Sequence, residues 1–439
     1  MELTQFILST AKLFVPIREY SFPKSSHPWL NDKCLDLVAK KHAAVGKFEY
    51  EVARDACTKG LLEEFQAHAL RMKTKISGLP TSSKKWWKLC SSLMVKRFCP
   101  EHIPPLRKDD GNWALDAVEK AEALSESFQQ KFHLPPKIEN EAPIIDEKFE
   151  TGFLLVRKRW TQKLLSGLDE NCATGPDGLP STILKKCARQ LAYPITKLLR
   201  MILNQGKWPA LWRIHWILPL HKRKSRSAPG NYRGIHLTNQ MSKVVERLIG
   251  QLFLPRLQQI GAFGPRQFAY CQGRSYKDAL ALCVCDWIWA IGHKYRVALY
   301  CSDVAGAFDK VSSEKLVIDT ATLGLHENIF KVIRSWLEPR IAHVIVDNKA
   351  SHHFRLENMV FQGTVLGPPL WNLFFASCRH GVNALEFREV VFADDLNCYR
   401  KFHSDCSNDF IFKHLTSCQS AVHNWGQDHQ VERIFAYLV

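Results

Sequence analysis

Two sets of carboxylates stand where unpaired charge is hard to keep. Asp303 ends the apolar run Val297-Ala298-Leu299-Tyr300-Cys301-Ser302, and Asp394 and Asp395 end the run Val390-Val391-Phe392-Ala393. Such runs read as strands. A carboxylate at the end of one cannot be buried alone, because taking a charge out of water costs several kcal/mol. If the two strands are neighbours, their acids converge and repel. A divalent cation relieves the repulsion, and Mg²⁺ takes a few carboxylates together with phosphate oxygens. Two such ions about 3.5–4 Å apart can activate a hydroxyl nucleophile and stabilise a pyrophosphate leaving group. Each segment alone has a plainer reading: 393–397 as a polar hairpin turn, 303–309 as a strand end and a helix cap. The pair, about ninety residues apart with a Gln-Gly loop between, points to a site.

That loop runs from Gln362-Gly363 through Gly367-Pro368-Pro369 to Asn372, and its first glycine lets the backbone approach a base pair closely. It is equally a turn that caps a helix from Leu370 to about Cys378. Upstream lie His221-Lys222-Arg223-Lys224-Ser225-Arg226 and Gly230-Asn231-Tyr232-Arg233-Gly234-Ile235. Lysine meets phosphate as a point charge and arginine as a bidentate fork. The basic stretch 222–226 is also readable as a solvated loop or a nuclear-import signal. The dense turn signal Ala173 to Pro180 says loop and no more.

These groups must be held by a sizeable scaffold. The chain has 439 residues, with 60 Lys+Arg against 43 Asp+Glu, a formal charge of +17 and a pI near 9.3. Hydrophobic residues at 46% and charged residues at 23% exclude a wholly disordered chain. The basic excess favours a polyanion partner, nucleic acid first. No apolar run reaches the roughly 18 residues a membrane span needs, and the N-terminus lacks a signal-peptide pattern. The expectation is an intracellular protein, in nucleus or cytoplasm, not secreted and not in a membrane. The 14 cysteines form no metal or disulfide framework and read as reduced thiols.

Helical spacing runs from Asn31 to about Ile76, with Asn31 or Asp32 as cap, Gly46 as a break, and Gly78 and Pro80 as stops. Ser83 to Lys88 interleaves bases with Trp86 and Trp87, either to stack on nucleic-acid bases or to bury the tryptophans of an amphipathic helix. A short hairpin is expected at Leu106–Leu115, turning at Asp109 to Asn112. A capping box, Asp116-x-x-Glu119, starts a helix to about Phe132. The prolines between Leu134 and Pro143 read as a linker. The chain thus divides into a mostly helical region 1–133, a linker 134–149, and an α/β-textured remainder, 150–439. In the remainder a helix is expected over Ile329–Leu337 and a hairpin over Arg340–Leu356, turning near Asp347-Asn348.

Taken in order, the segments resemble the reverse transcriptase of LINE-type non-LTR retrotransposons, from about Phe153 to about Val431. Ala173 to Pro180 resembles the family's "ATGPDGLP" segment, Asn231 to Ile235 its "NYRPI" segment, and Gln267 to Ser275 its "QFGF…GRS" segment. Asp303–Asp309 is similar to polymerase motif A, Gln362–Asn372 to motif B, and Phe392-Ala393-Asp394-Asp395 to the two-aspartate motif C. The resemblance implies an α+β right-hand polymerase, fingers and palm, with an antiparallel palm sheet behind the helical N-terminal region. It implies RNA-directed DNA synthesis from dNTPs, on an RNA template and a DNA primer, with two Mg²⁺ ions for which Mn²⁺ can substitute. Asp303 and Asp394 would be the main metal ligands, with the Val304 carbonyl, and Asp395 beside them near the primer end. Phe308 would exclude a ribose 2′-hydroxyl, Gln362 and Gly363 would line the nascent base pair, and Arg233 with Lys222 would hold the triphosphate.

The sequence departs from the family pattern at Phe361 and Gly234, where prolines are usual, at Pro369, and at Cys172. It leaves the pattern after about Val431, so the expectation is a polymerase truncated before the thumb, without the family's endonuclease. A nucleic-acid-binding remnant that no longer turns over is the alternative, and a scaffold whose N-terminal helices bind protein is a third class.

Overall fold

The structure is a computed structural model that describes residues 2–15, 29–44, 47–81, 83–94, 103–134, 148–222, 224–304, 306–431 and 434–438. The chain forms two compact units, residues 12–102 and residues 1–11 with 103–439. In the smaller unit the caps act as expected. The Asn31 side chain accepts from the Cys34 N–H at 3.0 Å to start the helix Asp32–Ala43, and Gly78 ends the helix Tyr50–Ser77. Ser83 caps the helix Lys84–Met94, which half-buries Trp86 and leaves Trp87 in solvent.

The expected region 1–133 is not one body, because residues 103–133 pack with the later chain. The hairpin Leu106–Arg107 with Trp113–Ala114 turns at Gly111, and the Asp116 side chain caps the helix Ala117–Phe132 at the Glu119 N–H, 2.8 Å away. That helix needs cover for Phe128 and Phe132. Phe132 stacks on Phe354 at 6.5 Å, and Lys131 donates to the Gly230 and Tyr232 carbonyls at 2.8 and 3.0 Å. The expected linker falls largely on 135–147, outside the described residues.

Two sheets carry the larger unit, which makes its class α+β. The first is four-stranded and antiparallel, in the order Arg388–Phe392, Asp395–His403, Tyr295–Val304, Ile434–Leu438. The second has Phe354–Leu356, Arg340–Val346, Ile214–His221 and Tyr232–Leu237 in that order. It contains one parallel pair, Ile214–Ile217 beside Ile341–Val344, that hairpin signals do not reveal. The expected hairpin after Arg340 turns at Asp347 and Asn348, both at positive φ.

Apolar helix faces close the core. Val244, Val245, Leu248 and Ile249 of the helix Gln240–Gln259 are buried, as are Trp336, Trp371 and Phe374 from later helices. The helix expected from Leu370 begins at Gly367 instead and ends at Ala376. Pro368 and Pro369 fit its first turn, where the missing N–H has no intrahelical partner to lose. Both the helix Asn408–Asp428 and the helix Tyr276–Gly292 pack on the strand Tyr295–Val304.

Candidate active site

The central strand Tyr295–Val304 buries Ala298, Tyr300, Ser302 and Val304 and turns Asp303 outward at its end. Alternation along the strand dictates this: the residues that flank Asp303 are core, so its carboxylate faces solvent. Next to it the hairpin Arg388–Phe392 with Asp395–His403 closes through a two-residue turn, Ala393-Asp394, with Phe392 opposite Asp395. Leu396 lies opposite Ser302, so the same register carried one residue further sets Asp395 beside Asp303. Burial pushes the Asp394 carboxyl above the usual range, and Asp395 and Asp303 push it further, while Arg233 pulls it back. Burial and Asp303 likewise raise Asp395.

A cleft of about 340 Å³ opens over this end of the sheet. Its lining includes Asp303, Val304, Phe308 and Asp394 together with Lys222, Arg233 and Gln362. Seven of the nine residues singled out from sequence therefore meet in one cavity. Asp395 is exposed and lines an adjoining, more apolar groove with Asp303, Leu280 and Trp287. Gly363 does not line the cleft. It sits beside Gln362 at φ +103, and a Cβ there would meet the His236 carbonyl oxygen at 2.7 Å. Arg223 lies outside the described residues.

Tyr270 and Asp309 also line the cleft, and the sequence reading gave neither a role. Tyr270 comes from the "QFAY" stretch, meets the Phe308 ring edge-on at 6.1 Å, and has its phenol raised by burial and by Asp394. Asp309 is pushed up to about 6 by burial, against the pull of Lys222 and Arg233. Its spacing from Asp303 was the available signal.

A buried histidine pair supports the Gln362 side. Arg340 donates to His215 Nε2 at 2.8 Å, so the His215 proton sits on Nδ1 and goes to His236 Nδ1, 3.0 Å away. Arg340 lies over the Phe361 ring at 3.8 Å, and the His236 backbone N–H donates to the Gln362 carbonyl at 3.0 Å. Phe361, where the resembled family has proline, is thus the floor of a buried guanidinium. The other departure at a proline position, Gly234, lies where a Cβ would meet the Ile217 side chain at 2.8 Å.

Among the described residues no three His, Cys, Asp or Glu side chains form a metal cage of their own. The donor set nonetheless fits Mg²⁺, which is commonly held by one or two carboxylates while water and substrate phosphates complete its shell. Asp303 and Asp394 face the cleft with no ion pair to any described cation, and the strand's last carbonyl, Val304, lies beside them.

These acids, at the end of an antiparallel sheet and in one cleft with Lys222 and Arg233, lie within residues 220–432, which match the family described as reverse transcriptase (RNA-dependent DNA polymerase). Over most of its length the chain resembles the reverse transcriptases of LINE-type mobile elements. It is 24% identical to the RNA-directed DNA polymerase from mobile element jockey of Drosophila melanogaster, over 76% of this chain and 38% of that protein. It is 26% identical to the probable RNA-directed DNA polymerase from transposon X-element of the same fly, over 74% of this chain and 36% of the relative. A third relative, the retrovirus-related Pol polyprotein from type-1 retrotransposable element R1 of Bradysia coprophila, is 27% identical over 58% of this chain and 24% of its own length. The chain thus spans less than two-fifths of each of these relatives. No described helix is long and apolar enough to cross a membrane.

Proposed function

We propose that this chain is the RNA-directed DNA polymerase part of a non-LTR retrotransposon, working inside the cell and adding dNTPs to a primer 3′-hydroxyl on an RNA template. The observation that carries the reading is the single cleft that Asp303 and Asp394 share with Lys222, Arg233 and Phe308. In this reading the antiparallel sheet is the palm, the mixed sheet belongs to the fingers, and both follow residue 149.

Lys222 and Arg233 bind the triphosphate, the arginine by its fork and the lysine as a point charge. Phe308 packs under the sugar and leaves no room for a 2′-hydroxyl. Gln362 lines the new base pair, and Gly363 next to it in the chain, with no side chain to press on the His236 carbonyl, lets the loop stay close to that strand. Asp303, Asp394 and the Val304 carbonyl hold the metal, with Asp395 next to the primer end. Two Mg²⁺ ions, or Mn²⁺ in their place, would supply the charge that activates the primer hydroxyl and stabilises the departing pyrophosphate.

Primer extension on an RNA template with dNTPs and Mg²⁺ tests this. Extension is expected to stop on chelation and to fall about a thousandfold or more in Asp303→Asn. Equal extension by wild type and Asp303→Asn would refute the assignment. The net charge of +17 favours nucleic-acid binding even without turnover. Tight, salt-sensitive binding with no incorporation by the wild type would select that second reading.

A further inference from the structure

Two side chains outside the cleft meet at the backbone of Ala393, the residue before Asp394. Ala393 stands at φ +61, a left-handed conformation that a Cβ disfavours and glycine adopts freely. Its carbonyl accepts from Trp371 Nε1 at 3.0 Å, and its N–H donates to Gln267 Oε1 at 3.2 Å. Gln267 Oε1 also accepts from the Ala269 N–H at 3.0 Å, which fixes the amide's orientation and leaves its Nε2 3.5 Å from the Ala393 carbonyl. Both side chains are buried, Trp371 completely, so water cannot replace either bond.

The same indole has a second contact. Its face stacks on Phe308, with ring centroids 5.7 Å apart and planes at 22°. One rigid, fully packed side chain therefore touches both the ring at the sugar position and the turn that carries Asp394.

We propose that Gln267 and Trp371 are positioning residues that clamp the Ala393 turn and so aim Asp394, and that Trp371 also sets Phe308 and with it the choice between deoxyribose and ribose. The inference rests on the polymerase reading above. Without the clamp, Ala393 relaxes towards negative φ, the peptide between Ala393 and Asp394 rotates, and the carboxylate swings away from the position it shares with Asp303. The substrate-binding wall is untouched, so the loss falls on turnover and not on nucleotide affinity.

Single-nucleotide incorporation, measured with a dNTP and with the matching rNTP, tests both halves. Gln267→Met keeps side-chain length without polar atoms, and Trp371→Phe keeps a ring for Phe308 without the N–H. Each is expected to lower kcat about tenfold to a hundredfold, the cost of a misplaced reacting group, with KM for the dNTP held within about twofold. Both keep the wild-type preference for the dNTP, whereas Trp371→Leu, which also removes the ring, is expected to narrow it about tenfold.

Ala393→Gly adopts the left-handed turn without help. Added to Gln267→Met, it is expected to restore about tenfold of the lost rate. A general loss of core packing would not be repaired by glycine at 393, and thermal unfolding of each variant reports that loss separately. If Trp371→Leu does not fold, the Gln267→Met and Ala393→Gly pair decides the clamp, and Phe308 selectivity is read from Trp371→Phe against Trp371→Met. Wild-type kcat in Gln267→Met and Trp371→Phe, or a slowed Gln267→Met that glycine does not rescue, overturns the clamp. Unchanged sugar preference in every folded variant lacking the ring overturns the second half. If the wild type incorporates nothing, the polymerase reading falls and this inference falls with it; a wild type that extends beside variants that match it removes the clamp alone.

Discussion

Asp303 and Asp394 reach one cleft from a strand end and from a hairpin turn, and the sequence carried the reason for their meeting: each follows an apolar run that reads as a strand. Lys222, Arg233, Phe308 and Gln362 were legible through the order of their motifs. Tyr270 and the pair His215–His236 were not, because packing among segments far apart in the chain makes their neighbourhoods, and no local spacing encodes that. The reach of Asp395 was legible only in part. It stands beside Asp303 on the sheet but faces the adjoining groove. At this scale the proposed sugar gate gives a direct test. Phe308→Ala should raise rNTP incorporation relative to dNTP by about tenfold or more, since a clash and not a hydrogen bond sets the preference. An unchanged rNTP:dNTP ratio would remove Phe308 from that role.

Elements were most legible where turn and cap chemistry is local. Asn31, Asp116, Gly111 and the Asp347-Asn348 turn each sit where the residue type requires. The parallel pairing of Ile214–Ile217 with Ile341–Val344 was not legible, because it joins strands more than a hundred residues apart and leaves no turn signal. Its core contains the buried histidines, which have a sign-definite effect. Burial and Arg340 hold His215 well below its ordinary value and bring His236 down to about 3. Both are neutral in the fold, while the unfolded chain takes up protons below about pH 6.5. Stability therefore falls as pH drops from about 6.5 towards 3. Asp309, raised to about 6, acts oppositely, binding a proton in the fold between about pH 6 and 4 and gaining stability as pH falls. The clean readout is a difference. Lowering pH from 7.5 to 5 should cost the wild type on the order of 2 kcal/mol more than His236→Asn, by urea unfolding. Equal pH dependence in the two proteins would show that His236 is not held neutral. In the neighbouring loop, Gly363→Ala places a Cβ against the His236 carbonyl at positive φ. It should displace the loop at a cost of about 1–3 kcal/mol and raise KM for the dNTP, and an unchanged KM would count against Gln362 lining the base pair.

For the molecule as a whole, composition said basic and globular, and the sequence pattern separated a helical front from an α/β remainder. The boundary moved, because Phe128, Phe132 and Lys131 find their partners on the later sheet. A charge of +17 should make affinity for an RNA–DNA duplex fall by about a thousandfold between roughly 50 and 200 mM salt, if six or more phosphates are contacted. Asp303→Asn should leave that slope intact, which separates gripping nucleic acid from copying it; affinity insensitive to salt would contradict a phosphate-binding surface.

The most direct test is a double-mutant cycle on primer extension in Mg²⁺, using Asp303→Asn, Asp394→Asn and the two combined. If both carboxylates serve one metal centre, each single change should cost about a thousandfold or more, and the combination should fall less than about tenfold below either alone. Wild-type extension by either single variant would contradict a shared centre.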